Sequence, residues 1–492
     1  MPQFKLESYP IVESPVERLP SELLHKILIS VSSPSKRGSI SLKLPGTSSL
    51  IVDPNARINP RPCLLPCLLT SRTFFIVAIP IMYRNIEISR ASTLERAVAQ
   101  ITKQPILGTF VRILDLSNLC CPDNESPLGN LLLDVLSAMP LIREFRINSS
   151  MEDHLNHDVL QKLFCELPFM ETLELSGSNS ATFVHACSLV VKAGREVTKS
   201  IRSLSLAGCR NLPPQVFDLL LPRLPSLQHL DISNTQITTL ALCSIPRSAK
   251  LTYLNISHCH VQDVQNFVDF LFNHPSTKEL VNLNMETDEG LEHHILSKED
   301  ISQLLPRLPP TLKVLNLKNS AMTCAHAKLL STLSVHVEQL SVGTQLRFRD
   351  IEELLLGVDN ADEEGQERPA LEEEEELGII SKYQAILSPI EDAIASCKLR
   401  QRINSYPEVM KATSVRYLDI SSLPLIEQGK INTSVLLGPQ SMPLQMIEIS
   451  EKVVGRYEVL PKLCAAVGWD FKSVGRRCWL RRRSFSSRRE RL

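Results

Sequence analysis

The sequence predicts an α/β solenoid, a stack of short strand–helix units. Three observations carry this: a recurring apolar frame, helix-like stretches between frames, and proline at fixed places. The segments IRSLSLAGC, LQHLDISNT, LTYLNISHC and LKVLNLKNS share the pattern apolar-x-x-apolar-x-apolar. The frame starts clearly at Ile201, Leu227, Leu251 and Leu312, and less regularly at Val111, Ile142, Met170, Leu280, Val337, Val415 and Leu444. Outside the long gap from 337 to 415, successive starts lie roughly 24–32 residues apart.

In an extended strand, alternate side chains point to opposite faces. Frame positions four and six therefore face inward, and positions three, five and seven face outward: Leu230 and Ile232 against His229, Asp231 and Ser233. Between frames lie stretches such as QVFDLLLPRL, which begins after Pro213–Pro214. Proline in a first helical turn forfeits no hydrogen bond. Pro140, Pro168, Pro225, Pro275 and Pro309 stand just ahead of new strands, where they stop the helix from running on. A single unit cannot bury its own apolar face, but stacked units share one core. The spacing, with Cys209 and Cys259 three residues past the last apolar position, resembles the cysteine-containing subfamily of leucine-rich repeats. The resemblance runs from about Ile86 to Ile449. It implies a leucine-rich-repeat solenoid, a horseshoe with a parallel sheet on its concave face.

Composition sets the limits of function. The chain has 492 residues, is 43% hydrophobic and carries a net charge of −1, which fits a folded protein with no global pull toward nucleic acid or membrane. No stretch approaches the ~18 apolar residues of a membrane span. The opening MPQFKLESYP lacks the basic start and apolar core of a secretory signal, so a cytoplasmic or nuclear location is expected. The 13 cysteines then read as small, reduced core residues.

Residues Val16–Val31, VERLPSELLHKILISV, place Leu19, Leu23, Leu24, Ile27, Leu28 and Val31 on one helical stripe. A second apolar stretch, Cys63–Ile81, follows. The opening Leu19–Pro20–x–Glu22–Leu23–Leu24–x–x–Ile27–Leu28, the segment Leu69–x–Ser71–Arg72–x–Phe74, and Tyr83–Arg84–x–Ile86 together resemble the F-box in the style of fungal F-box proteins. The resemblance implies a small α-helical module that docks on the Skp adaptor of a cullin-RING ubiquitin ligase, with repeats that hold a substrate protein. The adaptor-binding residues it implies are Leu19, Pro20, Leu23, Leu24, Ile27, Leu28, Leu68, Leu69 and Phe74. Read without the resemblance, the same helices are an N-terminal cap, which repeat arrays need. The expected boundaries are a helical module over 15–84 with a flexible insert at 32–61, repeats over 85–455 with an acidic insert at about 352–378, and a C-terminal cap and basic tail over 456–492.

The acidic insert, DNADEEGQERPALEEEEELG at its centre, reads as a solvated loop extruded from one repeat or as an electrostatic lure for a basic partner. The arginine-rich end, GRRCWLRRRSFSSRRERL, reads as a charged terminus, a nuclear import signal or a nucleic-acid contact. Trp469, Phe471 and Trp479 point to packing of its first part on the array. No aromatic-interleaved basic face exists elsewhere, and nucleic-acid binding is not expected.

No phosphate-binding, dinucleotide, zinc-protease or nucleophile-elbow motif occurs in the chain. Cys63–x3–Cys67 lacks a second ligand pair, and the histidines of His258–Cys259–His260 point away from an inward cysteine. No metal, cofactor or catalytic residue is expected. The leading function is a non-catalytic substrate receptor of a Skp–cullin–F-box ligase. The alternatives are a leucine-rich-repeat scaffold outside any ligase and a small-GTPase activator, a class whose repeats lack an F-box-like opening. Substrate contacts are expected on the sheet face at His229, Asp231, Tyr253, Asn255, Asn284, Asn316, Tyr417 and Asp419, with Tyr253 and Tyr417 as anchors. Position five is mostly acidic or amide and position seven often Ser, so a basic or amide-rich partner approaching closely is expected. Segments 32–61 and 359–378 carry too little apolar surface to offset ordering entropy. Limited proteolysis should cut there first; protection of both segments would contradict the reading.

Overall fold

The structure is a computed structural model, described over residues 14–16, 18–32, 61–119, 128–260, 263–287, 296–356, 413–456, 460–475 and 477–483. The insert expected at 32–61 lies outside the described residues except for its ends, Ser32 and Arg61, which are helical. Of the expected acidic insert, residues 352–356 instead finish a helix, Phe348–Leu356, and the rest lies outside the described residues, as does the end of the basic tail. The chain divides into two compact units, Met1–Ser226 and Leu227–Leu492.

The first unit opens with three helices, α1 (Ser21–Ser32), α2 (Arg61–Leu68) and α3 (Arg72–Arg84). The amides of Leu23 and Leu24 donate to the Pro20 carbonyl, so Pro20 starts α1. Ser71 caps α3 by accepting from the Phe74 amide at 3.3 Å, which gives the Ser71–x–x–Phe74 spacing a local cause. Five parallel strands follow in sequence order: β1 (Asn85–Glu87), β2 (Ile113–Leu116), β3 (Glu144–Ile147), β4 (Thr172–Glu174) and β5 (Ser203–Ser205). Leu114, Phe145, Leu173 and Leu204 stand opposite one another across the rungs and are buried.

The second unit holds β6 (His229–Asp231), β7 (Tyr253–Asn255), β8 (Asn282–Asn284), β9 (Val314–Asn316), β10 (Gln339–Ser341), β11 (Tyr417–Asp419) and β12 (Met446–Ser450), parallel and in sequence order. Gln339 pairs directly with Tyr417, so the ladder continues across the long gap in the frame. A C-terminal hairpin, β13 (Trp469–Val474) and β14 (Arg477–Arg482), closes this run, with β14 antiparallel to β12. The sequence pointed to packing there through Trp469 and Trp479, both buried, but not to two further strands.

Each of the eleven frame starts, Val111 to Leu444, is buried and lies two residues before a strand. The side chains at positions four and six are buried in every one of these frames. Helices on the other side complete the core. Ser180 caps Ala181–Lys192, Pro214 opens Pro214–Leu220, and Ser297 with Asp300 forms a capping box on Lys298–Leu304.

Two devices end many of the strands. The first lies at position five, where Asp115, Asp231, Asn255, Asn284, Asn316 and Asp419 each accept the backbone N–H two residues on, at 2.9–3.1 Å. The second lies at position eight, where Gly177, Gly208, Asn234, His258 and Asn319 take a positive φ. The residue after them returns to the core. Cys209 Sγ donates to the Leu175 carbonyl at 3.4 Å and Cys259 Sγ to the Ile232 carbonyl at 3.0 Å, each tying its repeat to the one before. The nine cysteines whose side chains are described are free. Left-handed backbone costs a β-branched residue about 1–2 kcal/mol. Gly208→Val, at φ +74°, should lower stability by at least that amount in denaturant titration, and an unchanged midpoint would remove the conformational reason for glycine there.

Candidate protein-binding surfaces

The helical module separates its apolar residues into an inside and an outside. Leu24, Leu28, Leu64, Val77, Ala78 and Ile81 form its core, with Leu19, Leu68 and Phe74 packed half-buried against it. Leu24 is fully buried, so Leu24 and Leu28, expected on the adaptor face, instead hold the three helices together. Leu23 and Ile27 remain on the surface, about 45% exposed, and Val31 continues their i, i+4, i+8 row. Leu69 is 91% exposed, and Leu65, Phe75 and Ile76 are also on the surface. Pro20 is exposed as well.

Of the eighteen exposed large apolar side chains among the described residues, eight belong to this module: Val16, Leu23, Ile27, Val31, Leu65, Leu69, Phe75 and Ile76. Single exposed apolar residues are ordinary, but a concentration marks a surface that is covered by something else. Leu65, Phe75 and Ile76 were missed as site residues in the sequence. Their signal is that the run TFFIVAIPI is apolar all round, more than one buried helix face can use.

The outward face of the second unit's strands differs from its sequence-based expectation. Asn255, Asn284, Asn316, Tyr417 and Asp419 are buried. The amides are turn-closing groups, and small residues at position seven serve the same turns: Ser233 donates to Asp231 through both its amide and its hydroxyl. Tyr417 is no exposed anchor, because its hydroxyl donates to the buried Glu448. Glu448 also accepts two bonds from Arg477 at 2.6 Å and one from Trp479 Nε1 at 2.8 Å, which fastens the C-terminal hairpin to β12. Lys318 lies 3.8 Å from Asp419 and 3.9 Å from Glu286. Three predicted residues stay reachable on adjoining strands: His229 is exposed, and Asp231 and Tyr253 are half-buried. The His229 and Tyr253 rings stack with centroids 6.0 Å apart and planes 23° from parallel.

Among the described residues, no group of three or more His, Cys, Asp or Glu is placed to hold a metal ion, and no helix is long and apolar enough to cross a membrane.

A family described as Leucine Rich repeat matches residues 247–264, which include β7. The register of the frames and this match define the chain as a leucine-rich-repeat solenoid. The chain is also similar to a Saccharomyces cerevisiae protein described as the F-box protein YLR352W, at 25% identity over 170 residues. That similarity covers 31% of this chain and 20% of the yeast protein's length. Together the two findings support an F-box/leucine-rich-repeat protein.

Burial, and then the neighbouring Glu448, push the Asp419 carboxyl up to about 6. A carboxyl that binds its proton more tightly when folded lowers stability above that value and gives the loss back as pH falls through it. Relative to Asp419→Asn, the wild-type unfolding temperature should therefore rise between pH 7.5 and pH 5. A wild-type midpoint that falls relative to the variant over that range contradicts the assignment.

Proposed function

We propose that this protein is the substrate-recognition subunit of a Skp–cullin–F-box ubiquitin ligase. The three-helix module binds the Skp adaptor, and the repeats bind a substrate protein. The observation that carries the reading is the concentration of exposed apolar side chains on the helical module, beside the similarity to a yeast F-box protein. The chain itself then makes and breaks no bonds. It holds the substrate near a ubiquitin-charged enzyme and so converts an encounter between separate molecules into one within a single assembly.

The adaptor contact is assigned to Leu23, Ile27, Val31, Leu65, Leu69, Phe75 and Ile76, which are free to lose water on binding. Burying one such side chain stabilises by about 1.5–3 kcal/mol. The substrate contact is assigned to the reachable strand-face residues His229, Asp231 and Tyr253.

The purified chain should co-elute with the Skp adaptor on size exclusion. Replacing Leu23 and Ile27 together by Asp should abolish co-elution while circular dichroism and the melting profile of the repeats stay unchanged. Unchanged co-elution by that double variant sinks the adaptor assignment.

A further inference from the structure

Position five carries a turn-closing side chain in six strands, and the neutral Asn255, Asn284 and Asn316 perform that duty as well as an aspartate does. A negative charge at this position therefore serves some other purpose. For two of the three aspartates the purpose is visible. Asp115 has Arg146 at 4.0 Å, on the next strand, and Asp419 has Lys318 at 3.8 Å. Asp231 is the exception: among the described residues no Lys or Arg forms an ion pair with it.

The surroundings of Asp231 are built rather than open. One carboxylate oxygen accepts from the amide and hydroxyl of Ser233, and the other accepts from Asn255 Nδ2 at 3.0 Å. An ionised carboxylate offers about four acceptor positions, so one direction remains for an outside donor. In the ladder, His229 lies opposite Tyr253 and Asp231 lies opposite Asn255, which puts the aromatic stack beside the carboxylate. A half-buried charge with no counter-charge among the described residues, next to an aromatic face, complements a planar cation.

We propose that Asp231, with Tyr253 and His229, receives an arginine side chain of the substrate protein. This rests on the reading that a protein docks on this sheet face. Arginine is preferred to lysine because a guanidinium is weakly hydrated, can lie against an aromatic ring, and can still donate an N–H to the carboxylate. This arrangement makes Asp231 a specificity-determining residue, since an uncharged partner side chain there leaves the carboxylate desolvated and uncompensated.

The test uses the full chain and a displayed library of random dodecapeptides. Wild-type protein should enrich peptides that share one arginine. A synthetic peptide of that consensus should bind about tenfold more weakly to Asp231→Asn, and a peptide with citrulline for the arginine should lose as much on wild-type protein. The variant keeps the turn, because its amide oxygen can accept from Ser233 as in the next three repeats, and gives up the bond from Asn255 Nδ2, so its melting temperature and circular dichroism are compared with wild type before binding is read. No enriched peptide, a consensus without a basic residue, or an arginine consensus bound equally by Asp231→Asn overturns the proposal. A combined His229→Ala and Tyr253→Ala variant separates the two levels. If non-arginine peptides are selected and this variant loses them, the sheet face is the docking surface and only the arginine assignment falls. If it keeps them, both fall.

Discussion

The hydrogen bond that a position-five side chain accepts from the backbone N–H two residues on is the interaction that most often sets where a strand of this array ends. It ends six of the strands at the same place, and in β6, β7 and β9 the residue at position eight then turns into left-handed backbone and position nine returns to the core. The strands are short and in register, and β4, β5, β6, β7 and β9 share the same left-handed change of direction. Stacking does the rest. In the second unit Leu230, Leu254, Leu283, Leu315, Leu340, Leu418 and Ile447 form one buried ladder, each rung covering the apolar side of the next. A repeat without a neighbour would leave its Leu or Ile in water and its outer backbone groups unpaired, which is why the run finishes on an antiparallel hairpin that Glu448 holds in place.

Glu448 is a buried charge whose partners are all supplied by the chain: Arg477, Trp479 and Tyr417. Removing one partner from such a group costs far more than the pair contributes, because the remaining charge cannot return to water. The hairpin is therefore specified by polar chemistry as much as by the burial of Trp469 and Trp479. Arg482 reinforces it from the other side, lying 4.6 Å over the Trp469 ring and donating to the Gly438 carbonyl.

Much of the fold was legible because it rests on a period. All eleven frame starts could be read from apolar spacing, including the irregular ones at Val111 and Leu444. The left-handed positions were legible in principle too, since Gly or Asn stands there in Gly177, Gly208, Asn234 and Asn319, although His258 hides the pattern in one repeat. The hairpin was not legible. Its strands alternate weakly, and RRCWLRRR reads as a basic tail until a carboxylate at Glu448 is known to face it. The sites were legible only by half. Helical periodicity puts Leu23 and Leu24 on one stripe, yet they fall on opposite sides of the packing boundary, and periodicity cannot say where on a broad stripe the neighbouring helix lies. On the sheet face, outward direction was mistaken for exposure. Asn255, Asn284 and Asn316 do point outward from their strands, but strands about 4.8 Å apart let neighbouring side chains cover one another.

That distinction separates the two kinds of polar residue on the sheet. Where the chain supplies a cation, as Arg146 does among Asp115, Glu144 and Glu174, the acidic row is an internal brace with its charge spent on holding strands together. Where the position-five residue is asparagine, the turn closes without any charge to balance. Only a carboxylate that closes its turn, remains reachable and lacks a described cationic partner has charge left for another molecule, and Asp231 meets all three conditions. A solenoid whose outward face is mostly committed to its own turns and braces thus confines recognition to few positions. On the proposed reading its specificity then depends on a small group, the exposed His229 stacked on the half-buried Tyr253 with the carboxylate beside them, rather than on the breadth of the sheet.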